Sequence, residues 1–311
     1  MMEVSRKRVR RSRYERDKAN APVVPTPRTL RLARMVATLG VSTTPQQIAL
    51  SGLEPKTLQR EMRKLLDLGM VRVIAVPRAA LAPYGARDHS LAFGAAPNIA
   101  VMTKAGMRRL VREELLVREL PIPDFTAVSG VGLRHRLLVT SIRIWFAVSA
   151  THAGSTLSHW REGDPAAIAL SASPRRALRP DAIAVLSLPE HRSLACLIEA
   201  DRGTERTAPW VDKIERYTHA FTQGLVSQAT GLKHARLVVV TESIVRRDRL
   251  RSLISEHAPA ELLDKVWIAN LSDLSDFDLS APAWVRPSVE GPTEPLLPPS
   301  VLKVGSSVHV A

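Results

Sequence analysis

The sequence predicts an α+β protein in two units, a small helical unit with short antiparallel strands followed by a mixed sheet covered by helices. Three observations carry this prediction. Between residues 28 and 118, apolar residues recur at helical spacing in several segments, and short apolar runs lie between them. Between residues 130 and 279, helical segments alternate with β-branched runs such as ARLVVVTES, the pattern of a mixed sheet covered on both faces. The charge also divides the chain: residues 1–120 hold 23 Lys and Arg against 10 Asp and Glu, and the remainder 21 against 20.

That basic third is the electrostatic footprint of a nucleic-acid partner rather than of general solubility. No apolar run approaches the roughly 18 to 20 residues a membrane span needs. The basic N-terminus is followed by no apolar h-region, so a secretory signal is not expected and a cytoplasmic location is. The single cysteine, Cys196, excludes an internal disulfide and a thiolate metal cluster, and its place within an apolar run suits a small buried residue. There is no internal repeat and no glycine-rich phosphate loop, so an ATPase is not expected.

Residues 1–27 contain SRKRVRRSRYERDK and then APVVPTP. Nothing in them can bury a core, and a disordered basic arm with a stiff linker is expected, suited to non-specific phosphate contact. Residues 28–120 then read as a winged helix-turn-helix. Leu30, Ala33, Met35, Val36 and Leu39 form a helical stripe that stops at Gly40. Ser42 to Thr44 cap a short second helix with Pro45 in its first turn. Glu54 to Leu68 supplies a third helix with Leu58, Met62, Leu65 and Leu66 inward. Lys56, Thr57, Arg60, Arg63 and Lys64 fall largely on other faces, placed for phosphates and base edges, and Arg72 follows on the first wing strand, Met70 to Val76. Residues 79–96 read as a long wing loop, and NIAVMTKAGMRRLV as the return strand and a closing helix.

The second unit, residues 130–279, opens with a helix on which His135, Leu138, Ile142 and Trp145 share an apolar face. TLSHWREGDP reads as the first strand of the sheet, with Glu162 and Asp164 toward its end. Ala182 to Leu188 and Leu194 to Ile198 read as two strands joined by a tight turn. Asp181 opens one strand, and Glu199 and Asp201 lie near the end of the other, two apart and therefore on one face. TAPWVDKIERYTHAFTQ is an amphipathic helix with Trp210, Lys213, Ile214, Tyr217 and Phe221 on one side. ARLVVVTES is a buried strand, RRDRLRSLISEHA a helix and DKVWIANLSDL a final strand. From about Ser280 to residue 311 the chain is rich in Pro, Ser and Gly without periodicity, and a disordered tail is expected.

Three carboxylates gathered at one end of a hairpin are costly without a cation. A hard divalent metal would neutralise them and polarise a phosphodiester. The three at this hairpin are Asp181, Glu199 and Asp201. Asp181 and Glu199 are the candidate metal ligands, Glu162 of the first strand is either an additional one or a solvated strand-end charge, and Mg or Mn is the candidate ion.

Pro180-Asp181 followed by Glu199-x-Asp201 resembles the active-site pattern of PD-(D/E)xK nucleases, which have the restriction-endonuclease-like fold. The fuller series RPDA, IEADRGTE and KIERY resembles the replication-relaxation family of mobile genetic elements over about residues 28 to 275. This resemblance implies a role in plasmid replication and DNA relaxation and a relation to MobC-type relaxases of conjugation. It also implies a catalytic set of Asp181, Glu199, Asp201, Lys213 and His135. The general nuclease pattern has Lys where this chain has Asp201, and Lys213 is the nearest basic candidate to replace it. Relatives place a His near the start of the helix that holds His135, and imidazole can hold a cleaved DNA end as phenol can. The other reading of His135, from its apolar face, is a satisfied core residue. Tyr217 is the other candidate nucleophile, although its companions suit a core position.

The leading expectation is a metal-dependent nicking enzyme that binds an origin-like DNA site of a plasmid or integrative element. Relaxosome or replication proteins and a second copy of the chain are its expected partners, and a membrane is not. The alternative is a DNA-binding regulator or replication accessory that keeps the nuclease-like fold as a scaffold. A weaker one is a structural protein that recruits a relaxase through its tails.

Overall fold

The computed structural model describes residues 23–74, 98–122, 130–171, 177–203, 207–289 and 291–302. Residues 1–22 of the expected arm and linker, the expected wing loop at 79–96, and Arg175 and Arg176 just before Asp181 lie outside these residues, whereas Thr26 and Pro27 already open the first helix. The chain divides into two compact units, the division falling after Thr140.

The first unit begins with α1 (Pro27–Leu39), β1 (Val41–Thr43), α2 (Thr44–Ser51) and α3 (Pro55–Asp67). It continues with β2 (Val71–Ile74), β3 (Ile99–Met102) and α4 (Lys104–Arg112). Both α1 and α2 start at a threonine capping box, Thr26 with Thr29 and Thr43 with Gln46, each followed directly by proline or a Thr-Pro pair. The three strands form an antiparallel sheet in the order β1-β3-β2. Leu32, Val36, Leu58, Leu65, Met70, Met102, Met107 and Leu110 make its core. Gly106 is needed there, because a Cβ at this position would stand 2.2 Å from the Met70 carbonyl oxygen. The start of the long helix α5 (Gly130–His152) belongs to this unit, with Leu133 and Leu137 packed on Val41, Ile99 and Val101.

The third helix runs where expected, but its inward face includes a charge. Glu61 is 2 % exposed and accepts a hydrogen bond from the Thr29 hydroxyl at 2.6 Å, tying α3 to α1. Burial alone would raise its carboxyl, but the bonds from Thr29 and Lys64 outweigh that and hold it below the ordinary value.

The second unit contains β4 (Thr156–Glu162), β5 (Ile168–Ala169), β6 (Ala177–Leu178), β7 (Ala182–Ser187) and β8 (Ser193–Asp201). Then come α6 (Thr207–Thr222), α7 (Leu225–Thr230), β9 (Ala235–Thr241), α8 (Ile244–His257), α9 (Ala260–Leu263) and β10 (Val266–Asn270). Five strands form one mixed sheet in the order β10-β9-β8-β7-β4. The pairs of β4, β7 and β8 are antiparallel, and those of β8, β9 and β10 are parallel. On one face Ile183, Leu197, Leu237 and Val239 pack with Trp210, Ile214 and Tyr217 of α6 and Leu250 and Ile254 of α8. The other face carries Trp160, whose ring lies 6.4 Å from that of Phe146 on α5. The α+β class and the alternation of helices and strands thus follow from the hydrophobic pattern. The small pair β5 and β6 was not expected.

The segment from Ser280 departs from expectation. β11 (Pro282–Trp284) pairs with β12 (Glu294–Pro295), Val285 bridges to Ile268 of β10, and α10 (Pro299–Leu302) follows. Trp284 is fully buried with its ring 5.4 Å from that of Trp145, and Leu296 and Leu297 are buried as well. Ala283, Trp284, Val285, Leu296 and Leu297, in two clusters too sparse to show a period, therefore complete the core, and β10 is not the last strand. Among the described residues no helix is long and apolar enough to cross a membrane.

Candidate active site

The alternation of β8 turns Leu197, Glu199 and Asp201 to the face covered by α6. On α6, Trp210, Lys213 and Tyr217 follow one another at spacings of three and four and so share the side that meets β8. Lys213 Nζ donates to Glu199 Oε2 at 2.8 Å, and the Tyr217 hydroxyl donates to Oε1 at 2.7 Å. Glu199 is 2 % exposed and Tyr217 fully buried. Burial pushes the Glu199 carboxyl up to about 7, against the pull of Lys213, and the nearby charge of Asp181 adds to the rise. The same burial, with Glu199 as neighbour, raises the Tyr217 phenol well above its ordinary value.

Asp181 stands just before β7, where its backbone N–H continues the ladder to the Ile198 carbonyl at 2.9 Å. Its Oδ2 accepts from the Ala200 N–H at 2.8 Å, so the side chain lies across the end of β8. Asp181, Glu199 and Lys213 are thereby brought together from two strands and a helix.

Asp201 is built differently. Arg246 of α8 grips both its oxygens at 2.8 Å, the Trp210 indole donates to Oδ2 at 2.7 Å and the Gly203 N–H to Oδ1 at 2.6 Å. Burial alone would raise this carboxyl, but the bonds and charge of Arg246 hold it below the ordinary value. Asp201 anchors α6 and α8 to the sheet.

Glu162 does not join the group. It pairs in register with Ala182, which pairs with Ile198, so it points to the opposite face from Glu199. There it is exposed and accepts from the Trp160 indole, near Arg143. Position along a strand was legible, but the face depended on the partner strand's register. Arg179 pairs with Asp164 at 2.6 Å, both exposed. His135 is half-buried on α5 and belongs to the first unit. Among the described residues no group of three or more His, Cys, Asp or Glu side chains is gathered closely enough to hold a metal ion. The set at the sheet end is two carboxylates, Asp181 and Glu199.

On the first unit, Lys56, Arg60 and Arg72 are exposed and Thr57, Arg63 and Lys64 half-buried. Arg63 pairs with Asp67 at 3.1 Å and Lys64 with Glu61 at 2.9 Å, so these two cations have partners within α3. Sequence reasoning missed Arg28, Arg31 and Arg34, all exposed on α1. It also missed Arg246, for which the basic run VRRDR was the only signal.

A search among curated proteins and among solved structures gave no match. The family model described as Replication-relaxation matches residues 34–235, from α1 to the start of β9. With more than half of its length matched, the chain belongs to the replication-relaxation family.

Proposed function

We propose that this protein binds DNA of a plasmid or integrative element and nicks or relaxes one strand at the carboxylate end of its mixed sheet. The family points to replication of such elements. The first unit supports the DNA-binding half as a winged helix, with α2 and α3 as the helix pair and β2 and β3 as the wing strands. Exposed Lys56, Arg60 and Arg72 would meet the duplex, and the surplus of basic residues in the first 120 supports the same assignment.

The observation that carries the catalytic half is Lys213 Nζ at 2.8 Å from Glu199 Oε2, with Asp181 alongside. It supports a PD-(D/E)xK-like site in which the lysine comes from the helix instead of the strand, and hence the relation to MobC-type relaxases. Two oxygen-donor carboxylates that repel one another fit Mg or Mn, which keeps several waters and needs one or two carboxylates besides a substrate phosphate. Asp181 and Glu199 would hold such an ion, and it would supply Lewis-acid polarisation of the phosphodiester. Lys213 would hold Glu199 in place and set its positive charge beside the phosphate. Tyr217, sealed in the core, serves as a hydrogen-bond donor to Glu199. The attacking group would be water; a relaxase reading needs a side-chain nucleophile instead, for which His135 is the candidate from the sequence.

A second reading has its own observation. Asp201 occupies the position of the strand lysine and is locked by Arg246, as in a structural ion-pair network. In that reading the second unit is a scaffold, and the protein is a regulator or an accessory to replication proteins.

A supercoiled-plasmid nicking assay with the element's own DNA and Mg or Mn, beside Asp181→Ala, separates the two. Metal-dependent open circle that vanishes in the variant, with site binding retained, is expected. Binding to a discrete site without conversion would favour the regulator. A denaturing gel for protein-linked DNA separates a relaxase, which holds the cleaved end on a side chain, from a nuclease that uses water, and its loss in His135→Ala would assign that residue.

A further inference from the structure

The second unit has a cavity of about 570 Å³ at the end of the sheet opposite to Asp181 and Glu199, where the parallel strands β8, β9 and β10 begin. Its walls are the turn before β8, the loop leading into β9 and the residues just before β10, and Leu297 and Val301 close one side. Volumes of several hundred cubic ångströms are those of small-molecule sites.

The charge in this cavity is one-sided, carried by two arginines and two lysines beside two histidines. His191, Arg192, Lys233, His234, Arg236 and Lys265 line it, against one carboxylate, Asp264, which is paired with Arg286 at 3.2 Å. The side chains of Lys233, His234 and Lys265 make no hydrogen bond or ion pair among the described residues and are exposed. Arg192 is held by the Val301 carbonyl at 2.7 Å and by Glu190 at 3.4 Å. Arg236 lies with its guanidinium carbon 4.0 Å from the Trp267 ring centroid, and its Nη1 is buried with no hydrogen-bond partner among the described residues. The buried Nη1 is a donor for which an anion would supply the acceptor, and the exposed cations around it favour an anion there.

The turn between β7 and β8 brings His191 to the cavity. Glu190 and His191 both have left-handed backbones, with φ of 58° and 57°, where glycine or asparagine is the easy choice. They are the central pair of a tight turn closed by the Arg192 N–H on the Pro189 carbonyl at 3.4 Å, the hairpin type that requires a positive φ at both positions.

We infer that this cavity is a binding site for the phosphate group of a nucleotide, either free or at the end of a DNA strand. The apolar residues on one side, Leu188, Leu194, Leu297 and Val301, suit the nucleoside part, and the cations suit the phosphate. The site is distinct from the carboxylate end and does not depend on nicking there.

The test uses the full chain and Lys233→Glu/Lys265→Glu, two exposed positions. Arg216→Glu/Arg249→Glu, also exposed and outside the cavity, matches the change in charge. Calorimetry with pyrophosphate and ATP reads the free ligand. A 5′-phosphorylated oligonucleotide, compared with its 5′-hydroxyl twin, reads the DNA end. Binding of either phosphate form is expected to fall by about tenfold or more in the cavity variant, since one charge-assisted hydrogen bond to a phosphate is worth about a decade in affinity, and to persist in the matched control. Pyrophosphate and ATP binding identifies a free nucleotide as the ligand, and a preference for the 5′-phosphate alone identifies the strand end. No phosphate-dependent binding, or equal loss in the two variants, would overturn the assignment.

Discussion

Replacing Lys213 by Met tests the electrostatics of the candidate site without touching either carboxylate. Methionine keeps much of the aliphatic stem beside Trp210, whose ring centroid lies 5.1 Å from Nζ, and removes the charge on Glu199. With Lys213 present the Glu199 carboxyl stands at about 7, and without it burial and Asp181 push it higher. An acid whose folded value is raised gives stability that is full below its unfolded value, about 4.3, and is lost as pH rises toward the folded one. In the parent protein that loss ends near 7. In the variant it continues at about 1.4 kcal/mol per pH unit. The two stability curves therefore keep a constant offset below about pH 7 and diverge above it, until the higher carboxyl of the variant has also titrated. The loss of about 3–5 kcal/mol typical of breaking a buried ion pair is not reached, because Glu199 takes up a proton instead of remaining charged and alone. Urea denaturation across this pH range reads the difference. Curves that stay parallel to the alkaline end would refute the role of Lys213 as the cation that holds Glu199 ionised.

Further outcomes follow from the geometry. Arg246→Met leaves Asp201 buried without its cation and should cost about 3–5 kcal/mol at neutral pH. Because the Asp201 carboxyl is held low, the gap should narrow as pH falls below about 4, and a gap independent of pH in acid denaturation would contradict the assignment. Trp284→Ala should destabilise the second unit by about 3–5 kcal/mol in urea, whereas a structureless segment would show no change. Lys56→Glu, Arg60→Glu and Arg72→Glu should each weaken DNA binding and lower the salt slope by about one, read by titration at several salt concentrations. Unchanged slopes would remove α3 and β2 from the DNA face.

The sequence was most legible where a period or a run length acts alone. The β7–β8 hairpin, the buried strand β9 and the helices α3, α6 and α8 all stand close to the segments read for them. The shared face of Glu199 and Asp201 followed from a spacing of two. What those carboxylates contact did not follow from it, because the Arg246 that claims Asp201 comes 45 residues later from a helix with no local signal for that pairing. Glu162 was placed at the correct end of its strand and expected on the wrong face, since its direction is fixed by pairing with β7. Glu61 sits on a helical stripe that otherwise holds Leu58 and Leu65, and only contact with Thr29 of α1 makes a carboxylate tolerable there. Residues 282–297 were misread for the opposite reason: a few apolar residues between turn formers carry little local pattern, yet long-range pairing and burial order them.

The packing of Trp145 on Trp284 also bears on how the protein is made. Its two halves lie roughly 140 residues apart in the chain, so at synthesis rates of about 5–20 residues per second Trp284 appears about 7 to 28 s after Trp145. The first unit can fold during that interval from segments already translated. The helix bearing Trp145 meanwhile keeps its aromatic surface waiting for a lid that ribosomes deliver late. Nascent chains stalled before residue 282 would therefore be the ones most prone to chaperone capture or aggregation.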